Sequence, residues 1–205
     1  MNKQNYDKQI IALLGLATTG KDHNSKPFIE MGFEKIAFAD SLRKVLWDIL
    51  GYTPDGDNIP YNDFKKCEFK IKKGLFKSES VTTVRKMLQN TGSVFKDLFG
   101  QNYWTNLWVK TALEHDKIVV TDTRFDYEIK KIMSLAKKGY KINFVWCQYE
   151  HADYDKLLTD THESEALAQF MYLNRDKYGL YDTCTINEIN MNKILKDFNK
   201  YNKTK

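Results

Sequence analysis

The stretch ALLGLATTGKDH, residues 12–23, decides the fold of this chain. Gly15 and Gly20 are separated by four residues and Lys21 follows directly, which is the spacing of a phosphate-binding loop. In such a loop the backbone N–H groups point inward and cradle phosphate oxygens, and the start of the following helix adds the positive end of its dipole. The stretch therefore predicts a site for the phosphates of a nucleoside triphosphate.

The residues on either side of this glycine loop (residues 15–21) have the pattern that the motif requires. Residues 8–14, KQIIALL, form a short apolar run that is typical of a buried parallel strand. Residues from Lys21 to about Met31 are predicted to form the helix that the loop opens. A glycine turn with a surface lysine is the alternative, and the strand before the loop and the helix after it favour phosphate binding.

Strands alternate with helices along the rest of the chain. Further strands are predicted at residues 34–40, 117–122, 141–148 and 182–189, and helices at residues 41–50, 80–100, 102–115, 125–139, 162–173 and 190–201. Residues 52–60 have the composition of a loop, and the pattern of residues 61–79 does not decide their form. This alternation predicts an α/β fold with a central parallel five-stranded sheet that is covered by helices on both faces.

Composition narrows the function classes. The 205 residues contain no run of eighteen apolar residues and begin without the apolar core of a signal peptide, so we expect a cytoplasmic protein with no membrane partner. Three scattered cysteines suit a reducing compartment. The net charge is +5, but lysines alternate with acids and form no dense basic stripe, which disfavours a nucleic-acid polymer as partner.

Arginine is scarce in this sequence. The chain has four arginines, Arg43, Arg85, Arg124 and Arg175, among 32 basic residues. Because a guanidinium is a planar, two-pronged donor, a chain this poor in arginine is expected to keep some of them for phosphate or carboxylate groups. Arg85 and Gln89 are four residues apart and therefore lie on one helix face.

Two aspartates are candidate magnesium ligands. Asp22 stands where a Ser or Thr hydroxyl usually holds the metal, and a carboxylate can also hold it, directly or through water. Asp122 ends a predicted buried strand, so it projects at the edge of the sheet where ligands bind in open α/β folds. The alternative for Asp122 is a helix cap, and the neighbouring Arg124 favours the metal.

Six blocks of the sequence together resemble a known family. They are GLATTGKD, FADSLRKVL, TVRKMLQNTGSVFKDLFGQNYW, VVTDTRFDYE, THESE and DTCTINEINMNKIL, and they cover most of residues 9 to about 197. In this order they resemble the phage-type deoxynucleoside monophosphate kinases, which are P-loop enzymes of the adenylate-kinase-like group. The resemblance implies a three-layer P-loop NTPase fold in one domain, residues 1–205. A helical region for the nucleoside monophosphate (NMP) would span about residues 40–116, and a small lid about residues 148–162.

The resemblance also implies a reaction, in which ATP and a deoxynucleoside monophosphate give ADP and the diphosphate with Mg²⁺ as cofactor. It makes a homodimer plausible and suggests the cytoplasm of a phage-infected host. The expected ATP contacts are Gly15, Ala17, Thr18, Thr19, Gly20, Lys21, Asp22 and His23, with Asp22 and Asp122 at the metal. The expected substrate contacts are Asp40, Arg43, Arg85, Gln89, Trp104, Arg124 and Glu128. The expected catalytic residues are Lys21, Arg85, Arg124 and Asp122.

Two features depart from the family pattern. His23 stands where the family usually has a Thr, and residues 148–161 contain no arginine, although Arg175 follows. Two other functions therefore stay open beside the nucleotide kinase. One is a P-loop kinase of another phosphorylated metabolite, such as a phosphomevalonate-type acceptor, and the other is an inactive nucleotide-binding regulatory protein.

Overall fold

The computed structural model describes residues 8–51, 64, 66–73, 78–160 and 162–203. The strands in this part of the chain are β1 (Gln9–Leu14), β2 (Glu34–Lys35), β3 (Glu68–Lys73), β4 (Ser78–Thr83), β5 (Lys117–Val120), β6 (Lys141–Trp146) and β7 (Cys184–Ile186). The helices are α1 (Lys21–Glu30), α2 (Asp40–Leu50), α3 (Val84–Phe99), α4 (Tyr103–Ala112), α5 (Asp126–Ser134), α6 (Tyr154–Leu158), α7 (Ala166–Leu173), α8 (Arg175–Tyr178) and α9 (Glu188–Asn202). Leu135–Lys138 and Glu163–Glu165 form 3₁₀ turns.

The larger sheet of the structure has five strands, in the order β2-β5-β1-β6-β7. β1 pairs in parallel with both β5 and β6, and β2 pairs in parallel with β5. The predicted α/β fold with a five-stranded sheet is therefore confirmed. The prediction that every strand is parallel is wrong at one edge, where β7 runs antiparallel to β6. The chain re-enters the sheet beside the end of β6, where the backbone of Gln148 bonds with the hydroxyl of Thr183, and then runs back along that strand.

Both faces of the sheet are buried, which explains the continuous apolar run in β1. Successive side chains of a strand point to opposite faces. Ile10, Ala12 and Leu14 lie in the larger apolar cluster, whereas Ile11 and Leu13 lie in a smaller cluster with Val119 and Cys147. This two-sided burial is typical of the strands in a largely parallel sheet.

The second strand is shorter than the sequence predicts. Residues 34–40 were expected to form it, but the ladder ends at Lys35. Beyond the strand, the backbone N–H of Ile36 still donates to Val119, and that of Phe38 donates to the carboxylate of Asp122 at 2.9 Å. A side chain therefore replaces the sheet partner at the end of this segment.

The helix predicted from residue 80 begins later, at Val84, because residues 78–83 pair with β3 as an antiparallel hairpin. Val81, Thr82 and Thr83 are β-branched, which favours the strand. Thr83 then acts as the N-cap of α3, since its hydroxyl accepts from the backbone N–H of Lys86 at 3.2 Å. The predicted loop at residues 52–60 lies outside the described residues.

The chain divides into two compact units. One consists of the residues up to Phe38 and from Trp108 onward and contains the five-stranded sheet, and the other is Ala39–Leu107. The second unit has its own apolar core, which is formed by Leu46, Trp47, Phe64 and Val84. No helix in the described ranges has both the length and the apolar character needed to cross a bilayer.

Candidate active site

The glycine loop adopts backbone torsions that its sequence permits. Gly15 has φ 145° and Gly20 has φ 83°, and both values lie in a region that favours glycine. A Cβ on Gly15 would lie 2.5 Å from the carbonyl oxygen of Cys147, so the backbone directly after β6 leaves no room for a side chain. Thr18 is the one described non-glycine residue with a positive φ, 60°. Such torsions are common where a loop is shaped to bind a ligand.

Lys21 lies over this loop. Its ammonium group donates to the carbonyl oxygen of Gly15 at 2.8 Å and to that of Leu16 at 2.5 Å, and only 9% of the residue is exposed. Burial, together with the positive charge of Arg124, lowers the pKa of Lys21 to about 8. The two cations therefore influence each other electrostatically, which is the arrangement expected around a polyanion.

The other expected ATP contacts differ in burial and in their hydrogen-bond partners. The hydroxyl of Thr19 is buried and donates to Leu16 at 2.9 Å, so this side chain stabilises the turn. Thr18 and His23 are exposed. The backbone N–H of Ala17 donates to a carboxylate oxygen of Glu165 at 3.2 Å. The N–H of Ala17, which was expected to donate a hydrogen bond to a phosphate, therefore already donates to Glu165.

The two expected magnesium ligands, Asp22 and Asp122, both influence the pKa of Lys21. The negative charges of Asp22 and Asp122 raise its pKa, against the larger effect of burial. Asp22 pairs with Lys35 at 2.7 Å. Partial burial raises the pKa of Asp22, but the hydrogen bond from Lys35 and its positive charge lower it, and the net result is a pKa below the ordinary value. Asp122 accepts the N–H of Phe38. Across the described parts of the chain, no group of three or more His, Cys, Asp or Glu side chains comes together as a metal site.

Arg124 is held by two buried glutamate side chains. Its backbone N–H donates to Glu128 at 2.7 Å, and the N–H of Phe125 donates to the same oxygen at 3.0 Å. Its guanidinium forms an ion pair with Glu165. Burial, followed by the charge of Asp122, raises the pKa of Glu128 to about 8. Glu128 thus fixes the backbone at the start of α5, and Glu165 fixes the side chain.

Two neighbouring groups were not predicted as site residues. The hydroxyl of Thr123, between Asp122 and Arg124, is the buried side-chain oxygen that lacks a hydrogen-bond partner in the described residues. Cys147 is fully buried at the end of β6, beside Gly15, and burial raises the pKa of its thiol. A buried thiol of this kind serves in packing rather than as a nucleophile.

The expected substrate contacts at residues 40–104 lie in the second unit and are described separately. Asp40 and Arg43 form an ion pair at 2.7 Å on α2. Arg85 and Gln89 are both exposed on α3, and their roles as substrate contacts stay predictions. Trp104 is buried, and its indole N–H donates to the carbonyl oxygen of Gly92 at 3.1 Å. The role of Trp104 in lining a substrate pocket stays a prediction, and its N–H already has a partner.

The expected lid packs against α7. It contains the single-turn helix α6, whose Tyr154 stacks on Tyr172 with ring centroids 4.4 Å apart. The guanidinium of Arg175 lies 4.5 Å from the centroid of Tyr172, so this arginine packs against α7. His162 caps the following 3₁₀ turn by accepting the N–H of Ser164 at 3.2 Å.

A family model described as deoxynucleotide monophosphate kinase matches residues 49–169. The chain belongs to this family. The match covers more than half of the chain and includes α3, β5 and the segment with Arg124, Glu128 and Glu165. No curated protein matches the chain.

The glycine loop precedes the matched residues, so its geometry is evidence that does not depend on the family match. Within the matched residues, Glu165 is a site contact that the sequence alone does not reveal. The block THESE that contains it was noted as a point of resemblance, but the sequence alone assigned no role to this glutamate. Lys35, the partner of Asp22, was also missed, because a lysine at the end of a strand looks like any surface lysine.

Proposed function

We propose that this member of the deoxynucleotide monophosphate kinase family transfers the γ-phosphoryl group of ATP to a deoxynucleoside monophosphate, with Mg²⁺ as cofactor. One observation supports this more than any other. The buried ammonium group of Lys21 lies over a glycine loop and within the electrostatic influence of Arg124. Phosphoryl transfer requires positioning and charge neutralisation of this kind more than covalent chemistry.

The triphosphate is proposed to lie along the glycine loop. Backbone N–H groups of residues 15–21 other than that of Ala17, which donates to Glu165, would bind its oxygens together with the start of α1. Lys21 would leave the carbonyl oxygens of Gly15 and Leu16 to bridge the terminal phosphates. His23 is exposed on α1 and lacks the hydroxyl that a Thr would offer. Any contact from His23 would therefore be made by its imidazole ring.

The residues around the loop fit a magnesium ion. Mg²⁺ is usually held by one or two carboxylates together with substrate phosphates and water, and Asp22 and Asp122 are two carboxylates that both act on Lys21. Asp22 would exchange Lys35 for the metal or hold it through water. When bound, the ion supplies charge neutralisation at the phosphates.

The acceptor nucleotide is proposed to bind at residues of the second unit. Arg85 offers a guanidinium for the acceptor phosphate, and Gln89, one turn later, offers an amide for a base edge. Asp40, Arg43 and Trp104 are the other proposed contacts. A general base is unnecessary, because an acceptor phosphate is already ionised near neutral pH.

The test is ADP release from ATP across the four DNA monophosphates and their ribose counterparts, with and without Mg²⁺. Lys21→Ala and Arg85→Ala should each reduce turnover by about 100-fold or more. Lys26→Ala, on the exposed side of α1, and Lys86→Ala, next to Arg85, are the matched controls and should keep wild-type turnover.

Three results would contradict the proposal. Preference for a phosphorylated metabolite without a base would indicate the other P-loop kinase. ATP binding in calorimetry without ADP release for any acceptor would indicate a regulatory protein. Wild-type turnover in Arg85→Ala would remove that residue from the mechanism.

A further inference from the structure

Glu165 joins two parts of the active site that are far apart in the sequence. One carboxylate oxygen accepts the backbone N–H of Ala17 in the glycine loop at 3.2 Å, and the other pairs with the guanidinium of Arg124. Only 5% of Glu165 is exposed. A buried carboxylate needs hydrogen-bonded or charged partners, and these two contacts provide them.

The element that carries Glu165 is well supported. Glu165 ends the 3₁₀ turn that begins at Glu163, and α7 follows at once. The imidazole of His162 accepts the N–H of Ser164, and the hydroxyl of Ser164 lies 3.4 Å from the guanidinium of Arg124. The turn therefore holds the carboxylate at a fixed place between the loop and the arginine.

From these contacts we infer that Glu165 is a positioning residue, which fixes the guanidinium of Arg124 relative to the glycine loop. The inference rests on the proposed function, in which Arg124 faces the transferred phosphate. Glu128 bonds to the backbone of Arg124. The guanidinium itself contacts Glu165 and, at 3.4 Å, the hydroxyl of Ser164 on the same turn, so Glu165 supplies the charged contact that orients it. An arginine bound on one side by a carboxylate keeps its remaining N–H groups for a phosphate.

A kinetic experiment separates positioning from a purely structural role. Glu165→Gln removes the charge while keeping the size of the side chain, and it should lower kcat by about 10- to 100-fold, because a displaced guanidinium no longer meets the developing charge. KM for ATP should change by less than about threefold, since the loop and Lys21 are intact. Glu163→Gln, on the same turn but exposed, is the matched control and should match the wild type.

A double-mutant cycle tests whether Glu165 acts through Arg124. In an Arg124→Gln background, Glu165→Gln should reduce kcat by less than about twofold further. Independent, multiplicative losses would overturn the inference. A kcat that Glu165→Gln leaves unchanged would also overturn it, and so would a tenfold or larger rise in ATP affinity, since Glu165 would then be a competitor of the phosphates.

An NMR measurement on Arg124 tests the inference without measuring the reaction. With four arginines in the chain, the guanidinium NMR signal of Arg124 can be assigned by comparison with Arg124→Gln. The signal should be protected from solvent exchange in the wild type and in Glu163→Gln, and it should lose this protection in Glu165→Gln. Unchanged protection in Glu165→Gln would refute the positioning role. Absence of ADP release from the wild type would refute the proposed function alone, and the NMR comparison would still decide the role of Glu165.

Discussion

Replacing Gly15 with alanine should destabilise the fold through the backbone of the glycine loop. At φ 145° an L-residue is strained by about 1–3 kcal/mol. The new Cβ would also lie 2.5 Å from the carbonyl oxygen of Cys147 and 2.6 Å from the hydroxyl of Thr19. To relieve these contacts, the chain must weaken the bond from the N–H of Cys147 to Leu14 (2.7 Å) and that from Thr19 to Leu16 (2.9 Å).

Each weakened hydrogen bond adds about 1 kcal/mol, so the total loss for Gly15→Ala is about 3–5 kcal/mol. For a chain of this size, 1 kcal/mol corresponds to about 2–4 °C in Tm, and the expected fall is therefore about 6–20 °C. Gly139→Ala is the matched control, because Gly139 also has a positive φ (89°) but nothing lies within 4 Å of its added Cβ. That variant should lose only about 1–2 kcal/mol. Calorimetric melting of both variants measures the difference, and equal Tm values for the two would refute the steric argument.

Two further predictions concern pH. ATP affinity should weaken as pH rises through about 8, because Lys21 loses its charge there and no longer neutralises the phosphates. Calorimetry between roughly pH 6 and pH 10 measures this, and an inflection of equal size in Lys21→Ala would assign it to another group. Stability should also change with pH through Glu128, whose folded pKa of about 8 lies above its ordinary value of 4.5. A raised pKa means that the folded state binds the proton more tightly, so this contribution is fully present below pH 4.5 and is lost as pH rises through about 8. Denaturant unfolding of the wild type and of Glu128→Gln, which cannot ionise, measures the loss, and parallel pH profiles for the two would contradict it.

Sequence patterns predicted the glycine loop and its flanking elements correctly, because the information is local. Apolar residues 10–14, a glycine at each end of the loop and a helix after it are neighbours in the chain. The direction of β7, by contrast, is not determined by local sequence. Residues 182–189 show the composition of a strand, but a composition does not encode whether the strand runs parallel or antiparallel to β6.

The boundary of α3 illustrates a second limit. Val81 and Val84 fit both a helical period and a continuing strand, so the pattern could not exclude either. Pairing with residues 68–73 makes the chain a strand up to Thr83. Residues 68–73 belong to the segment 61–79, whose secondary structure the sequence pattern does not decide. A contact between segments, rather than a local preference, sets the start of the helix.

The candidate site shows the same limit. Lys21, Asp122 and Arg124 could be chosen from motifs, whereas Glu165 contacts Ala17 across 148 positions of the chain. No spacing rule covers such a distance. Burial of a glutamate and its pairing with an arginine become visible only once the elements are packed.

The reversed direction of β7 changes which connections can influence nucleotide chemistry. In a fully parallel sheet, the segment after the last strand would reach the edge beside the glycine loop. Here Cys184 is opposite Trp146 and Ile186 is opposite Phe144, so the segment before β7 reaches that edge. An exchange of loops that is meant to alter the preference for the phosphoryl donor should therefore target residues 179–183. The junction between β7 and α9, at residues 187–188, is the safer place to insert a tag or reporter.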